Sequence, residues 1–445
     1  MKTIISNNIR VFDPTLELFD FCNVNLKLDN PDYIQALRMG RYIGKMSRYM
    51  QLYEVRDNSI ILPFGIMRKV YPIISKGEII LDFPSNAPIN LGGDIKLYPY
   101  QQVACNNLYK ARNGILEAPC GSGKTQIGLK LIKDIGKKAL WITHTLDLIT
   151  QAKSRAQQYF TCKLGEIVGG KVDIGDITFA TVQTLSTLDL SQYRQEWDII
   201  IVDECHKVVG SPTRVMQFYK VLSNLSARYK YGLSATLHRA DRMIKSTFSI
   251  LGDLVHTIKD LDVGDKTIQA VHQRVELNTA ASIGYLDTDG TMIYNNLISF
   301  LCENEGRTLD MAQVIKMTNS YGLVLSHRVE HCYKIRKAVG YGEVVVGSTP
   351  KTERERIFGD MREGKIKLII STYSLAKEGL DLPILDRLYL ATPHKDYAIV
   401  KQSAGRIERN IRDKKQPIIL DFVDKNIYYC EKAYRQRKKI LSKRY

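Results

Sequence analysis

None of the eight cysteines stands at C-x-x-C spacing from another, which removes the usual frameworks of a zinc site or a dithiol redox pair. Cysteines 22, 105, 120, 162, 205, 302, 332 and 430 are scattered and read as reduced, mostly buried thiols. His206 has no metal-ligand spacing with any other histidine, so no zinc is expected. No run of about 20 apolar residues offers a membrane span, and residues 1–10 lack the apolar core of a signal peptide. A soluble, cytoplasmic chain with no membrane partner is expected. Acidic residues are in deficit: 47 Asp and Glu against 64 Lys and Arg leave a formal charge of +17. That balance favours polyanionic partners through counterion release, with nucleic acid foremost.

What is present centres on Ala118-Pro119-Cys120-Gly121-Ser122-Gly123-Lys124-Thr125. The apolar run Gly114-Ile115-Leu116-Glu117 precedes it, and Ile127, Leu129, Leu131, Ile132 and Ile135 give an apolar helical surface after it. Strand, glycine loop and helix in that order make a phosphate cradle. The glycines turn backbone N–H groups inward, the helix N-terminus adds positive potential, Lys124 neutralises outer-phosphate charge, and the Thr125 hydroxyl holds Mg²⁺. By composition alone a Gly-Lys-Ser/Thr tripeptide arises on the order of 0.2 times in a chain this long, so its companions decide.

The decisive companion is Asp198-Ile199-Ile200-Ile201-Val202-Asp203-Glu204-Cys205-His206. Four consecutive apolar residues predict a strand buried on both faces, whose carboxyl end delivers two carboxylates to the edge where open α/β sheets bind ligands. Asp203 suits Mg²⁺ held through its water shell, and Glu204 suits orienting and deprotonating an attacking water.

A chain of 445 residues suggests two or three domains. Residues 1–88 read as a small α+β accessory module, with strands near 58–63 and 78–83 and a helix near 32–46. Its Arg38, Arg41, Lys45, Arg48, Arg68 and Lys69 interleave with Tyr42, Tyr49, Tyr53 and Tyr71, a mixture suited to phosphate contact and base stacking, hence to DNA or RNA, with a solvated basic face as the plain alternative. The turn formers at 84–88 predict a linker. Apolar runs at 139–143, 177–181, 199–202 and 231–234 predict a parallel-sheet domain over 89–262. Those at 322–326, 342–347, 368–372, 387–391 and 417–422 predict a second over 263–445. A hinge is expected at 261–266, residues 284–290 read as a looped element, and the tail after Asp424 reads as a basic helix, either solvated or touching nucleic acid.

Loop, Asp-Glu-Cys-His, Leu233-Ser234-Ala235-Thr236 and Gln402-Ser403-Ala404-Gly405-Arg406-Ile407-Glu408-Arg409 stand in the order and approximate spacing of superfamily 2 helicases, over about residues 95–425. The Asp-Glu-Cys-His and Gln-x-x-Gly-Arg-Ile-x-Arg forms resemble XPB-like, RecG-like and UvsW-like DNA translocases more than DEAD-box RNA helicases. With its basic N-terminal module, the chain is most similar to phage or large-DNA-virus members of that branch. The resemblance implies an α/β fold of two tandem RecA-like domains plus the small α+β module, in the host cytoplasm if the chain is viral. It implies ATP and Mg²⁺ as cofactors, forked, branched or single-stranded DNA as partner, and a monomer or weak oligomer.

Carried over by position, Leu97-Tyr98-Pro99-Tyr100-Gln101 is similar to the segment whose glutamine reads adenine, with Tyr98 in place of the usual arginine. The resemblance assigns Pro119, Gly121, Ser122, Gly123, Lys124 and Thr125 to phosphate and metal, and Gly379 and Asp381 of Lys377-Glu378-Gly379-Leu380-Asp381 to the nucleotide. Thr145, Thr181 and Thr372 would touch strand phosphates, each with a helix-cap role as the plain alternative. His206, Ser234 and Thr236 would couple the ATP site to the nucleic-acid groove. Gln402, Arg406 and Arg409 would serve catalysis. The two arginines, three apart, would share one helix face and reach the γ-phosphate together as fingers from the second domain. The alternatives are an RNA helicase or transcription-release ATPase, a nucleic-acid-binding module with a vestigial ATPase, and a restriction-complex subunit, although no nuclease constellation is visible.

Overall fold

A run of apolar residues without polar alternation suits only a strand covered on both faces. The runs at 139–143, 177–181, 199–203, 322–326 and 368–372 are fully buried strands of parallel sheets. The computed structural model describes the chain except residues 120, 209–211, 236, 238–243, 264–267, 287–289, 291, 377–381, 410, 412–413 and 443–445. Side chains 38, 207–208, 212–216, 260–261, 283, 376 and 397–398 lie outside the description as well. The hinge expected at 261–266, the looped element at 284–290 and the tail residues Lys443 and Arg444 therefore fall partly or wholly outside it. The chain divides into two compact units, Met1–Lys259 and Asp260–Tyr445.

Unit 1 opens with β1 (Lys2–Ile5), β2 (Asn8–Phe12), β3 (Lys27–Asp29), β4 (Tyr49–Gln51), β5 (Glu54–Arg56), β6 (Ser59–Pro63) and β7 (Glu78–Leu81). Five of them form one sheet in the order β5-β6-β2-β1-β7, antiparallel except for the β1–β7 pair, while β3 and β4 pair apart from it. The helix expected over 32–46 is shorter, spanning Pro31–Arg38. Asn30 caps its start by accepting from the Asp32 amide, and positive φ at Gly40 and Gly44 turns the chain out of helix afterwards.

This small sheet is fastened to the larger one. Arg68 donates to the Ala111 carbonyl and Lys69 pairs with Asp253, so two of the module's cations are spent on its neighbour. Lys230 is buried, donates to the carbonyls of Asn7 and Leu222 at 3.2 Å each, and lies 4.7 Å from the Phe64 ring centroid. The turn-rich segment expected as a linker is tied down too. The Asn86 amide donates to the Glu196 carbonyl and to Asp198, while Leu91 and Ile95 are buried.

The main sheet of unit 1 holds β8 (Asn113–Glu117), β9 (Ala139–Thr143), β10 (Leu164–Val168), β11 (Lys171–Asp173), β12 (Ile177–Thr181), β13 (Ile199–Asp203), β14 (Tyr229–Ser234) and β15 (Leu254–Thr257). Its order is β11-β10-β12-β9-β13-β14-β8-β15, parallel throughout except at the β10–β11 edge hairpin. Parallel register brings the ends of β8, β9, β12, β13 and β14 to one edge, where sheets of this kind place their sites.

Unit 2 contains β16 (Val271–Leu277), β17 (Gly322–Ser326), β18 (Glu343–Val345), β19 (Leu368–Thr372), β20 (Arg387–Leu390) and β21 (Ile418–Asp424), all parallel in the order β16-β21-β20-β17-β19-β18. Two charged pairs are sealed inside it. Arg307 reaches Asp424, which also accepts from Thr279, and Arg437 reaches Asp421 with bonds of 2.8 and 2.7 Å. Arg437 belongs to the basic tail, which is a helix over Tyr428–Ser442; Lys432, Arg435, Lys438 and Lys439 face solvent, but Arg437 is neither solvated nor available to nucleic acid. No helix among the described residues is long and apolar enough to cross a membrane.

Candidate functional site

The loop between β8 and the helix Lys124–Ile135 turns through left-handed backbone at Gly121 (φ +82°) and Gly123 (φ +81°). A side chain at Gly123 would also collide with its surroundings, since a Cβ there would lie 2.2 Å from Gln101 Nε2. Gln101 is buried and knitted into the loop. Its Nε2 donates to the Ser122 carbonyl at 2.8 Å and its Oε1 accepts from the Tyr98 amide at 2.9 Å. Tyr98 and Tyr100 stack with ring centroids 6.1 Å apart, and Tyr98 is half exposed. Ser122 is buried with its hydroxyl on the Pro119 carbonyl, and Lys124 folds its ammonium over the carbonyls of Ala118 (3.0 Å) and Pro119 (3.4 Å). The half-buried Thr125 follows in the helix's first turn.

Asp203 ends β13 and is buried; burial first, then the charge of Glu204, pushes its carboxyl up to about 7, against the opposing pull of Lys124, the Glu204 amide and the Trp141 indole. Glu204 sits in left-handed backbone at φ +51°, a conformation costing roughly 1–3 kcal/mol that marks functional turns. Its amide donates to Asp203 Oδ1 at 2.9 Å. A buried carboxylate beside a second one is short of positive charge, and with the Thr125 hydroxyl at the start of the neighbouring helix the donor set is all hard oxygen. These residues fit Mg²⁺.

The Asp-Glu turn is joined to the next strand. His206 Nδ1 lies 3.2 Å from Glu204 Oε2 and 2.9 Å from Ser234 Oγ, and the Ala118 amide donates to the Ser234 carbonyl at 2.9 Å. Thr236, Gly379 and Asp381 lie outside the described residues, as does Cys120 of the loop.

Two of the three threonines serve as helix caps. Thr145 Oγ1 accepts from the Leu148 amide at 3.4 Å, and Thr181 Oγ1 accepts from the Thr184 amide at 3.3 Å. Both stand at the same sheet edge, with Thr181 beside Thr143 across the β9–β12 ladder. Thr372 ends β19 in unit 2 and meets the Ser374 hydroxyl at 3.0 Å.

Gln402 and Arg406 lie on the helix Tyr397–Ile407, whereas Arg409 lies beyond its end. The shared helix face expected for the two arginines is thus corrected. The cause is Glu408, which is buried and engaged by the backbone ahead of β16: its carbonyl accepts from the Ile268 amide at 2.8 Å and its carboxylate from the Ala270 amide at 3.2 Å.

Sequence reasoning missed Trp141 and Gly128. Trp141 is buried in β9, and a Cβ on Gly128 would stand 2.8 Å from its ring, so the phosphate-loop helix lies directly on the indole beside Asp203. The signals were there: one of only two tryptophans, inside an apolar run, and a glycine in a helix interior, where it costs about 1 kcal/mol relative to alanine.

Residues 94–239 match the family model for the type III restriction enzyme res subunit, and residues 294–410 match that for the helicase conserved C-terminal domain, together more than half of the chain. The chain belongs to the superfamily 2 helicases. Its two parallel sheets are accordingly the paired RecA-like domains of that superfamily. A protein of Acanthamoeba polyphaga mimivirus named as an ATP-dependent RNA helicase is 24% identical over 394 residues, covering 84% of this chain and 72% of that protein. The helicase D10 of Escherichia phage T5 is 23% identical, covering 96% and 91%. The DNA 3'-5' helicase XPB of Kineococcus radiotolerans is 25% identical, covering 64% of this chain and about half (52%) of that protein.

Proposed function

We propose that this helicase is an ATP-dependent DNA translocase that remodels forked or branched DNA. The observation carrying the reading is the connected edge of unit 1, where Lys124, Asp203, Glu204, His206 and Ser234 converge by short contacts. In that reading Gly121, Gly123 and Lys124 hold the phosphates, Thr125 and Asp203 hold Mg²⁺, and Glu204 takes the proton of the attacking water. Mg²⁺, when bound, neutralises phosphate charge and fixes the phosphate oxygens. Gln402, Arg406 and Arg409, with Gly379 and Asp381, are assigned to the nucleotide on the sequence resemblance. Thr145, Thr181 and Thr372 can each donate a hydroxyl proton to a strand phosphate while their oxygens serve as caps or turn contacts.

DNA is favoured by the Asp-Glu-Cys-His form and by the printed name of the XPB relative, and an arm of the N-terminal module suits contact with nucleic acid. The arm comprises β3, the helix Pro31–Arg38 and β4, and exposes Leu37, Met39, Tyr42 (95% exposed) and Met46 among the solvent-facing Arg41, Lys45 and Arg48. Cations track a phosphate backbone and an exposed aromatic ring stacks on an unpaired base, as at a branch point. An RNA substrate is the second reading, favoured by the name of the mimivirus relative. The test is stimulation of ATP turnover by single-stranded DNA, duplex DNA, four-way junctions and RNA. Strongest stimulation by junctions or forks is expected, and stimulation by RNA alone would overturn the proposal.

A further inference from the structure

The segment joining β20 to the arginine-bearing helix of unit 2 is held in an unusual way. Each of four successive backbone carbonyls accepts a hydrogen bond from a side chain of a different element. Ala391 O accepts from Arg307 Nη2 (2.7 Å), Thr392 O from the Tyr373 hydroxyl (2.7 Å), Pro393 O from the Tyr294 hydroxyl (3.2 Å) and His394 O from Arg437 Nη1 (3.2 Å). A connecting loop on a protein surface ordinarily gives such carbonyls to water. Here none of the four donors is adjacent to another in sequence, so the loop's position reports the position of four elements at once.

The side chains between these donors form a closed neutral chain. Tyr294 gives its one hydroxyl hydrogen to Pro393 O, so at 2.9 Å it accepts from His327 Nε2–H. His327 Nδ1 then accepts from the Thr392 hydroxyl at 2.7 Å, and that oxygen accepts in turn from the His327 amide at 3.2 Å. Burial, then His394, Arg328 and Arg437, hold the His327 imidazole down at about 3, which keeps it neutral as this pattern requires.

One member of the clamp has a second connection. Tyr373 immediately follows Thr372, the residue assigned to strand phosphate, and its buried ring is fixed against His327 (4.9 Å) and His394 (4.7 Å). On the far side of the loop, Asp396 caps the helix Tyr397–Ile407 by accepting from the Ile399 amide at 3.0 Å, and its own amide donates to His394 Nδ1 at 3.1 Å. The path from Thr372 to Gln402 and Arg406 is thus continuous. It runs through Tyr373, the 391–394 backbone and the Asp396 cap.

We propose that Tyr373 is a positioning residue that couples nucleic-acid contact at Thr372 to the placement of the helix carrying Gln402 and Arg406, acting through its hydroxyl bond to Thr392. The coupling rests on the functional reading above. A rigid buried ring next to Thr372 carries any displacement of that residue to the loop, and the loop can transmit it only to the helix it caps, because its other carbonyls are fixed.

Tyr373→Phe keeps the ring and its packing and removes only the bond. ATP turnover of the intact chain is measured with and without oligo(dT) or oligo(U), whichever stimulates the wild type, together with the Kd for that strand and the KM for ATP. The ratio of stimulated to unstimulated turnover is expected to fall about tenfold, or about 1.4 kcal/mol of coupling, with Kd and KM each changed less than about twofold. Tyr294→Phe removes the neighbouring bonds to Pro393 and His327, but Tyr294 does not adjoin Thr372 and reaches it only indirectly through His327, so it is expected to keep the wild-type ratio while losing similar thermal stability. A wild-type ratio in Tyr373→Phe overturns the coupling alone, as does an equal loss in both variants, which would mean that the loop needs only support. A wild-type chain stimulated by neither strand overturns the functional reading and the coupling with it.

Discussion

Replacing Arg437 by methionine tests whether the basic tail is anchored or merely cationic. Its guanidinium is 1% exposed and makes two bonds to Asp421, itself fully buried, and a third to the His394 carbonyl. Methionine fills most of the volume but leaves the buried Asp421 carboxylate, among the described residues, with His272 Nε2 at 2.9 Å as its remaining side-chain partner. Breaking one side of a buried pair costs about 3–5 kcal/mol, against about a tenth of that for a solvated surface arginine. Hydrogen exchange across the tail helix reads the local opening directly, without requiring the chain to unfold in one step. At about 1.4 kcal/mol per power of ten, exchange should accelerate roughly a hundredfold to several-thousandfold. Adding Asp421→Leu removes the orphaned charge and should restore most of the protection. The salt dependence of nucleic-acid binding should stay unchanged, because the buried Arg437 does not reach a phosphate. Exchange accelerated less than about fivefold, or a further loss on adding Asp421→Leu, would refute the reasoning.

Glu204→Gln keeps the shape of the Asp-Glu turn but removes the carboxylate proposed as the base; ATP turnover should fall by roughly 10²–10⁴-fold while a fluorescent ATP analogue still binds, and unchanged turnover would leave Glu204 without that role. Tyr42→Ala should lower fork unwinding several-fold with little change in turnover stimulated by single strands, whereas Tyr42→Trp should retain it, as stacking requires. Lys230 gives a pH dependence. Burial brings its ammonium down to about 7, so between about 7 and its ordinary value of 10.5 the unfolded chain holds a proton that the folded chain has released, and stability should rise with pH across that window. The neutral amine keeps two N–H groups for its two carbonyl partners, and Lys230→Met should flatten the rise, as read by urea unfolding of the intact chain between pH 7 and 9 followed by a probe in unit 1.

The central strands were legible because a strand covered on both faces must be apolar without interruption, and β9, β12, β13, β17 and β19 are fully buried. Four strands at or beside the edges, β10, β11, β15 and β16, gave no such run. In β10 exposure alternates residue by residue while its sequence, Leu-Gly-Glu-Ile-Val, does not alternate apolar with polar to match, and β16 is largely accessible, so neither carries the run or the period that marks a strand. The short helix after Asn30 was overextended because its apolar period continues past Gly40, where the backbone does not. In the tail, a positive charge reads alike whether it meets water, phosphate or a buried carboxylate, and the partner of Arg437 lies on another element.

The same distinction explains the site. The phosphate loop and the Asp-Glu turn are contiguous motifs whose chemistry is local, so residue order is enough to place them. Arg409 is not local: it leaves the helix because Glu408 is held by amides at Ile268 and Ala270, more than 130 residues earlier in the chain. Nor are the ties that stiffen each edge. In unit 1, the Ser234 carbonyl accepts from the phosphate loop's Ala118 amide and its hydroxyl meets His206 Nδ1 at 2.9 Å. In unit 2, Tyr373 fastens the end of β19 to the loop after β20. Strands of a parallel sheet end in separate loops, and a site assembled from several of them holds its geometry only if side chains bind those loops crosswise. Such ties join residues distant in sequence and of ordinary type, a serine and a tyrosine. They carry no motif, yet through them a contact made at one loop can change chemistry at the next.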